Sequence, residues 1–458
     1  MRFDLHGSPR LDAFRRFALC CLAPLLFLAA DAATATPQIQ TWETTNGARV
    51  LFVAAPEIPM VDVRVVFAAG SARDGDRAGL ASMTASMLDE GAGDWDANAL
   101  ADRLDFVGAS LSAGVDRDMT SVSLRSLTRA DALDVAVETM AAVLAKPTFD
   151  ADALERVRQN RLVALRQQEE SPQQIGRKAL FHAVYQGHPY ASDPAGTAES
   201  ISALSRAELQ AFHERYYVAA NAVVAIVGDL DRAAAEALAE RIISGLPKGE
   251  AAATLPQVSD LASGTLKTIT FPSSQTTVMA GQPGTKRGDP DYFTLYVGNH
   301  ILGGSGLVSI LMDEIREKRG LSYSTYSYFM PLAEPGPFIM GLQTRNDQAE
   351  QARQVMLNTL ERFIAEGPTE AELTAAKKNI TGGFPLKIAS NGDIVQYLAV
   401  IGFYGLPLDY LDRFPGRIES VTVEQIRDAF ARRVHPNRLA IVTVGGDAKK
   451  VSQVSGAD

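Results

Sequence analysis

Hydrophobic positions along the chain follow two patterns, helical spacing and short uninterrupted runs. Apolar side chains at 133, 137, 140 and 144 repeat at i, i+4, i+7 and i+11, which predicts one amphipathic helix, and those between 352 and 363 predict another. Segments rich in apolar and β-branched residues predict strands at 49–54, 61–68, 267–271 and 276–281. Because strands and helices are grouped and do not strictly alternate, the pattern favours an α+β fold in which sheets pack against helices.

This order of elements occurs twice. Ser205 and Thr422 take matching N-cap positions before predicted helices, and each helix is followed by a Val/Ile-rich run, at 221–228 and 437–446. The two amphipathic helices are likewise each stopped by a proline and followed by an acidic first turn. Two matching pairs in the same order indicate a duplicated unit. We predict one domain at 36–246, a linker rich in Pro, Gly and Ala at 247–263, and a second domain at 264–458.

The N-terminal segment has the layout of a secretory signal peptide. Arg10, Arg15 and Arg16 precede an apolar run at 17–30 and small residues follow it, so we predict that residues 1–35 are removed, with cleavage after Ala32 or Ala35. A membrane anchor is the alternative, but about 14 apolar residues are short for a span. Both cysteines, Cys20 and Cys21, lie in this segment, so we expect no disulfide and no thiolate metal site in the exported chain.

Composition and charge exclude two classes of protein. Of 458 residues, 46% are hydrophobic, which is too apolar for a disordered chain. The chain has 44 basic and 54 acidic residues, and this excess of acid argues against a nucleic-acid binder, whose surface would be basic. Beyond the N-terminal segment, no stretch of sequence is long and apolar enough to predict a membrane span.

The residues that hydrolases use do not form a recognisable catalytic set. Six histidines are present, but no two lie at i and i+4, the spacing at which a helix holds zinc. The glycine-rich loop at 303–306 lacks the spacing of a nucleophile elbow and the Gly-Lys-Ser/Thr of a phosphate-binding loop. Residue chemistry alone therefore indicates a two-domain exported protein without an evident catalytic centre.

Two longer segments nevertheless resemble a known family. The segments at 70–91, which begins Gly70-Ser-Ala-Arg-Asp-Gly, and at 301–323, which begins Ile301-Leu-Gly-Gly-Ser-Gly, are similar to segments of the M16 (pitrilysin-like) zinc peptidases. The resemblance covers nearly the whole exported chain, including its duplicated layout. It implies an M16/LuxS-metallohydrolase-like fold: two homologous domains, each a mainly antiparallel sheet packed with helices, which together form half of a clamshell.

The family's zinc motif is degenerate in this chain. Members of the family carry His-x-x-Glu-His on a helix; the two histidines and a later glutamate bind zinc, and the inner glutamate activates water. By the resemblance, the histidine positions fall on Ser82 and Ser86, the base position falls on Ala85, and the later ligand falls near Val163 or Ala164. Serine is a poor zinc ligand, and none of the other side chains is acidic. We therefore expect no metal and no zinc-dependent catalysis in this chain alone.

A second set of the family's functional residues is retained. In related enzymes an arginine and a tyrosine from the second domain reach the substrate at the zinc site, and the matching positions here are Arg316 and Tyr323. A guanidinium can clamp a peptide carbonyl or carboxylate, and a phenol can donate to the oxyanion that forms at the scissile carbonyl. The alternative is that Arg316 belongs to an exposed charged patch and that Tyr323 packs at a strand edge.

The resemblance therefore implies a non-catalytic subunit. We predict that the chain forms a periplasmic heterodimer with a zinc-bearing M16 paralogue that carries His-x-x-Glu-His, and that Arg316 and Tyr323 act on peptides bound at the partner's zinc. Neither a nucleic acid nor, after signal cleavage, a membrane is expected as a partner. Two alternatives stay open: a peptide-binding or scaffold pseudoenzyme with no role in hydrolysis, and an autonomous enzyme of another chemistry.

Overall fold

The computed structural model describes residues 37–446, so the predicted signal peptide lies outside the described residues. Within this range, no helix combines the length and hydrophobicity that a membrane span requires. The strands of the described range are β1 Gln40–Glu43, β2 Arg49–Ala54, β3 Met60–Phe67, β4 Gly91–Ala92, β5 Trp95–Asp96, β6 Ser110–Val115, β7 Thr120–Leu127, β8 Ala222–Gly228, β9 Thr265–Phe271, β10 Gln275–Thr285, β11 Thr325–Phe329, β12 Gly336–Arg345 and β13 Ala440–Gly446.

Helices fill most of the remaining chain. The α-helices are α1 Leu80–Ala85, α2 Ala97–Phe106, α3 Ala130–Ala145, α4 Ala151–Glu169, α5 Pro172–Val184, α6 Ala198–Ala203, α7 Arg206–Tyr216, α8 Arg232–Ile243, α9 Tyr292–Asn299, α10 Ile310–Met312, α11 Ala349–Glu366, α12 Glu370–Gly383, α13 Asn391–Phe403, α14 Tyr410–Glu419 and α15 Val423–Arg433. Two π-helical turns continue α9 and α10, at His300–Gly304 and Asp313–Glu317. Short 3₁₀ turns lie at Ser71–Arg73, Pro189–Ala191, Ala219–Asn221, Gly306–Val308, Asn346–Gln348, Phe384–Ile388 and Pro436–Arg438.

Each half of the chain builds one large sheet. The first half, residues 37–246, forms the order β1-β2-β8-β3-β7-β6, and the second half, residues 264–446, forms β11-β12-β10-β13-β9. Neighbouring strands run antiparallel except for one parallel pair in each sheet, β2 with β8 and β13 with β9. The predicted α+β fold with two similar, mainly antiparallel sheets is thereby confirmed.

The N-caps that the repeat predicts are formed in both halves. The hydroxyl of Ser205 accepts a hydrogen bond from the backbone N–H of Glu208 at the start of α7, and Thr422 does the same for Gln425 at the start of α15. In each case the third helical residue also accepts from the cap's own N–H, which completes a capping box. The buried strands β8 and β13 follow these two helices, as the repeat predicts.

One helix from each half packs on the sheet of the other half. Helix α5 lies on β10 and β13, and helix α13 lies on β2, β3 and β8. The approach of α13 is so close that a Cβ at Gly402 would meet Val223 Cγ1 at 2.4 Å and Leu51 Cδ1 at 2.7 Å. Buried clusters therefore contain side chains of both halves. No helix or strand lies in 247–264, but the predicted domain and linker boundaries themselves stay a prediction.

Candidate functional site

The degenerate motif lies on the short helix α1 and its C-cap residue, Ser86. Hydrogen bonds hold the start of this helix, and buried side chains hold the face that points to the core. Asp74 accepts hydrogen bonds from the backbone N–H groups of Gly79 and Ala81, both at 2.8 Å. Burial raises the pKa of Asp74 to about 7, against the opposing effect of these two bonds. Met83 on this helix and Met87 just after it are completely buried in the core. Ala85, the position of the family's catalytic base, is also buried and has no ionisable group.

An arginine from α4 reaches Ser82 and Ser86, the two serines at the predicted histidine positions. Nη2 of Arg161 donates to Ser82 Oγ at 2.9 Å and to Ser86 Oγ at 3.2 Å. Ser86 Oγ in turn donates to the Ser82 carbonyl oxygen at 2.9 Å, so its lone pairs are left to accept from the guanidinium. Burial lowers the pKa of Arg161 and Asp193 opposes that change, but a guanidinium stays protonated in proteins. A fixed positive charge therefore lies at the degenerate site.

This set of side chains does not fit a zinc ion. Two hydroxyls are poor ligands for zinc, and a guanidinium beside them repels any cation. Val163, near which the third ligand was expected, is 47% exposed. Nowhere between residues 37 and 446 do three His, Cys, Asp or Glu side chains come together in a group that could hold a metal.

Arg161 is the residue of this site that the sequence reasoning missed. A search for a metal ligand considers acidic side chains, and Glu155, Glu169 and Glu170 on the same stretch do not fit the spacing. The available signal is a basic residue two positions before Val163. A positively charged side chain can take the place of a lost metal ion. An arginine or lysine near a degenerate metal motif is therefore a candidate for this role, as Arg161 is here.

The two histidines that are buried within residues 37–446, His188 and His213, have structural roles. Nε2 of His188 lies 2.9 Å from the carbonyl oxygen of Pro256, and Nε2 of His213 lies 2.8 Å from that of Leu144. Burial lowers the pKa of both imidazoles, so each is neutral at pH 7 and bonds as a neutral donor. Both imidazoles therefore serve the fold by bonding backbone carbonyl groups.

Arg316 and Tyr323 lie side by side. The guanidinium carbon of Arg316 is 4.8 Å from the centroid of the Tyr323 ring, within the range of a cation–π contact. Arg316 belongs to the π-helical turn Asp313–Glu317, and the chain reverses at Gly320, whose φ of +61° favours glycine. The Tyr323 side chain precedes β11 and is 81% exposed, so it does not pack at a strand edge.

The charged side chains around Arg316 pair with one another and not with Arg316. The buried carboxylate of Glu314 accepts hydrogen bonds from Lys318 at 2.9 Å, Arg319 at 2.6 Å and Arg362 at 2.9 Å. These bonds hold the pKa of Glu314 far below its ordinary value, at about 2. Arg316, by contrast, makes no short ion pair with any residue between 37 and 446: its guanidinium contacts the Tyr323 ring and lies 3.6 Å from Glu317. Its guanidinium is therefore available to another molecule.

The two sets of residues do not meet inside the chain. Ser82, Ser86 and Arg161 belong to the first half, and Arg316 and Tyr323 belong to the second. Across the described part of the chain, no hydrogen bond, ion pair or ring contact joins one set to the other. A half-buried guanidinium beside an exposed phenol can hold a carbonyl or an oxyanion.

Known proteins share this architecture. Residues 49–198 match the family model for insulinase (peptidase family M16), and residues 203–380 match the model for the peptidase M16 inactive domain. The crystal structure of a peptidase M16 inactive domain from Pseudomonas fluorescens is 42% identical, with a TM-score of 0.86 over 89% of this chain and 97% of that one. The chain therefore belongs to the M16 peptidase family, which confirms the resemblance seen in the sequence.

Similar chains from other bacteria carry names of two kinds. An uncharacterized zinc protease of Mycobacterium tuberculosis is 28% identical over 412 residues, 89% of this chain and 93% of that protein. The non-peptidase homolog YmxG of Helicobacter pylori is 27% identical over 397 residues, 86% of this chain and 90% of that protein. Together with the degenerate motif, the inactive-domain match is consistent with a non-catalytic member of the family.

Proposed function

We propose that this chain is the non-catalytic subunit of an exported, heterodimeric M16 zinc peptidase and supplies Arg316 and Tyr323 to peptides at its partner's zinc. The observation that carries the proposal is a contrast between the two sets of residues. Arg161 donates hydrogen bonds to both serines of the degenerate motif. Arg316 and Tyr323, in contrast, form a cation–π contact with each other, and both keep surface that another molecule can reach.

Exposure of Tyr323 supports a role in contact with another molecule. A tyrosine ring contributes to the stability of the fold mainly through the apolar surface that it buries. The Tyr323 side chain is 81% exposed, so it contributes little to stability. Glu314 already ties the adjacent Lys318 and Arg319 into the turn, which fixes the backbone that carries Arg316. A rigid turn that presents a guanidinium and a phenol suits substrate positioning.

The proposed division of labour assigns different steps to the two subunits. The zinc of the partner would supply the activated water, as catalytic zinc does in peptidases. Arg316 would bind a carbonyl or carboxylate of the peptide, and the Tyr323 hydroxyl would donate to the oxyanion that develops at the scissile carbonyl. The periplasmic location rests on the predicted signal peptide.

Reconstitution tests this proposal. The chain from residue 36 onward is purified alone and together with a zinc-bearing M16 chain from the same organism that carries His-x-x-Glu-His. Zinc content and cleavage of unfolded fluorogenic peptides are measured for each chain and for the pair. We expect no turnover from this chain alone, one zinc per pair, and cleavage by the pair at least about 100-fold faster than by the partner alone, the order that one oxyanion donor supplies.

Two outcomes would contradict the proposal. If the two chains form no complex at micromolar concentrations, the prediction of a heterodimer is wrong. If a complex forms but cleaves no faster than the partner alone, the chain takes no part in hydrolysis and is a peptide-binding or scaffold pseudoenzyme.

A further inference from the structure

A cavity of about 740 Å³ lies between the two halves. The first half contributes β3, the β6–β7 turn and α5 to its walls, and the second half contributes the segment after β11 and helix α13. Neither the degenerate zinc motif nor the Arg316–Tyr323 pair lines it. Its volume falls in the range of about 300–1,000 Å³ that small-molecule sites occupy.

The charge of the cavity is opposite to that of the chain. The sequence as a whole carries a formal charge of −10. The cavity, in contrast, is lined by five basic and two acidic side chains: Arg64, Arg117, Arg177, Lys178, Arg287, Asp116 and Asp193. Lys178 pairs with Asp193 at 3.2 Å, which leaves four arginines and one aspartate. Counted over residues 37–446, no carboxylate oxygen lies within 4.0 Å of these four guanidinium groups.

Arg117 is the most deeply buried of the four arginines, with 6% of its surface exposed. Its guanidinium donates to the backbone carbonyl of Tyr190 at 3.0 Å and to that of Ser192 at 3.3 Å. The same group lies 3.7 Å from the centroid of the Phe181 ring. Burial, followed by the nearby positive charge of Arg177, lowers the pKa of Arg117 to about 10. An anion in the cavity would relieve both effects.

Arg64 and Arg287 are also held by neutral groups. Arg64 donates to the hydroxyls of Ser121 at 2.9 Å and Ser123 at 3.3 Å. Arg287 donates to the carbonyl of Pro331 at 3.1 Å. These bonds fix the direction of each guanidinium without neutralising it, so further N–H groups stay available for an anionic ligand.

Apolar side chains complete the walls and narrow the class of ligand. Phe181 comes from α5, and Phe329 and Leu332 come from β11 and the segment after it. Phe329, Met330 and Val400 are only half-buried, so the walls keep apolar surface that a ligand can cover, whereas Phe181 and Leu332 are buried. Inorganic ions gain nothing from such walls, whereas an organic molecule with one anionic end and an apolar body can use both the arginines and the apolar surface.

We propose that this cavity binds a carboxylate carried on an apolar chain, such as the C-terminal end of a hydrophobic peptide or a fatty acid. Guanidinium groups bind carboxylates through paired hydrogen bonds, and Arg64, Arg117 and Arg287 offer three such groups from both halves of the chain. Binding would take place in this chain alone, so it does not depend on the zinc-bearing partner.

Calorimetric titration of the purified chain tests the proposal. The probes are acetyl-Ala-Leu-Phe with a free carboxylate, the same tripeptide as its C-terminal amide, decanoate, and inorganic phosphate. We expect the tripeptide acid or decanoate to bind, and whichever binds identifies the source of the carboxylate. The uncharged tripeptide amide should bind at least about tenfold more weakly than the acid, the order of one charged hydrogen bond. No binding of either carboxylate, equal binding of acid and amide, or binding of phosphate alone would overturn the proposal.

Substitutions locate the binding site. Arg64→Gln and Arg287→Gln should each weaken binding of the carboxylate by about tenfold or more. Arg177→Gln provides a variant with little risk of misfolding, because that side chain is exposed. The matched control is Arg345→Gln, which removes an exposed arginine paired with Asp347 far from the cavity wall. Near-UV circular dichroism verifies the fold of each variant, and unchanged affinity in all three cavity variants would contradict the assignment.

Discussion

The guanidinium of Arg161 donates to the hydroxyl of Ser82 across 2.9 Å and thereby links α4 to α1. The same nitrogen reaches Ser86 at 3.2 Å. By the resemblance to the M16 zinc peptidases, these two serines fall at the positions of the histidine ligands. The chain therefore keeps a positive charge at this place but replaces the metal with a side chain, which can neither coordinate water nor lower its pKa as zinc does.

Restoring the histidines alone should not restore zinc binding. Ser82→His and Ser86→His together place two imidazoles one helical turn apart, but Arg161 remains beside them. Repulsion between unit charges about 4 Å apart is about 4 kcal/mol near a protein surface, and zinc carries two charges. We expect a further change, Arg161→Glu, to remove this repulsion and add a carboxylate, so that zinc binds at least about 100-fold more tightly.

Equilibrium dialysis followed by metal analysis measures this difference. The matched control is Arg166→Glu in the double-histidine background, because Arg166 is an exposed arginine on the same helix and does not contact the serines. Tight zinc binding by the double-histidine variant with Arg161 intact would show that the guanidinium does not exclude the metal.

Glu314 should make stability depend on pH. Hydrogen bonds from Lys318, Arg319 and Arg362 lower its folded-state pKa from the ordinary 4.5 to about 2. The unfolded chain therefore takes up this proton first, so the stability that Glu314 provides is complete above pH 4.5 and is lost as the pH falls toward 2. We expect Glu314→Gln to lower the free energy of unfolding at pH 7 by about 1–3 kcal/mol, and by progressively less between pH 5 and pH 3.

Urea unfolding at several pH values measures this effect. Glu361→Gln is the control because Glu361 is exposed on α11, the helix that carries Arg362. That control should change the free energy of unfolding by less than about 0.5 kcal/mol at every pH. A difference between wild type and Glu314→Gln that does not change between pH 7 and pH 3 would contradict the assigned role of Glu314.

Local elements of the fold could be predicted because they depend on neighbouring residues. The strand predicted at 49–54 is β2, and the amphipathic pattern between 133 and 144 lies within α3. Strand β10 runs beyond the predicted 276–281 to Thr285, through Pro283, and its register shifts between these two residues. Proline is tolerated at such irregular positions of a strand, which allows β10 to continue beyond the predicted end at 281.

Contacts between distant parts of the chain could not be predicted from one sequence. Arg161 and Ser82 are 79 positions apart, and neither periodicity nor spacing indicates that they meet. The packing of α5 and α13 on the opposite sheets likewise depends on how the halves fold together, and the cavity between them is a product of that packing. The sequence did place Arg316 and Tyr323 within eight residues, but only the fold brings the guanidinium to the face of the ring.

Gly402 should be intolerant of a side chain. A Cβ there would lie 2.4 Å from Val223 Cγ1, so Gly402→Ala should push α13 away from the first sheet and lower the free energy of unfolding by about 1–3 kcal/mol. The control is Gly382→Ala in α12, where a Cβ meets nothing within 4 Å and should stabilise the protein by about 0.5–1 kcal/mol. Urea unfolding at pH 7 compares the two. If Gly402→Ala leaves the free energy of unfolding unchanged, the interface between the halves can accommodate a methyl group without strain.

Arg316 and Tyr323 should affect different kinetic constants of the reconstituted pair. Tyr323→Phe keeps the ring beside Arg316 and removes the hydroxyl, so kcat should fall by about 100-fold while KM changes little. Arg316→Ala removes a contact to the peptide itself and should lower kcat/KM by about 10–100-fold. Arg345→Ala is the control, because that exposed arginine pairs with Asp347 outside this turn and should leave both constants within about twofold. If the complex that carries Arg316→Ala keeps full activity, the proposed role of the pair in hydrolysis is wrong.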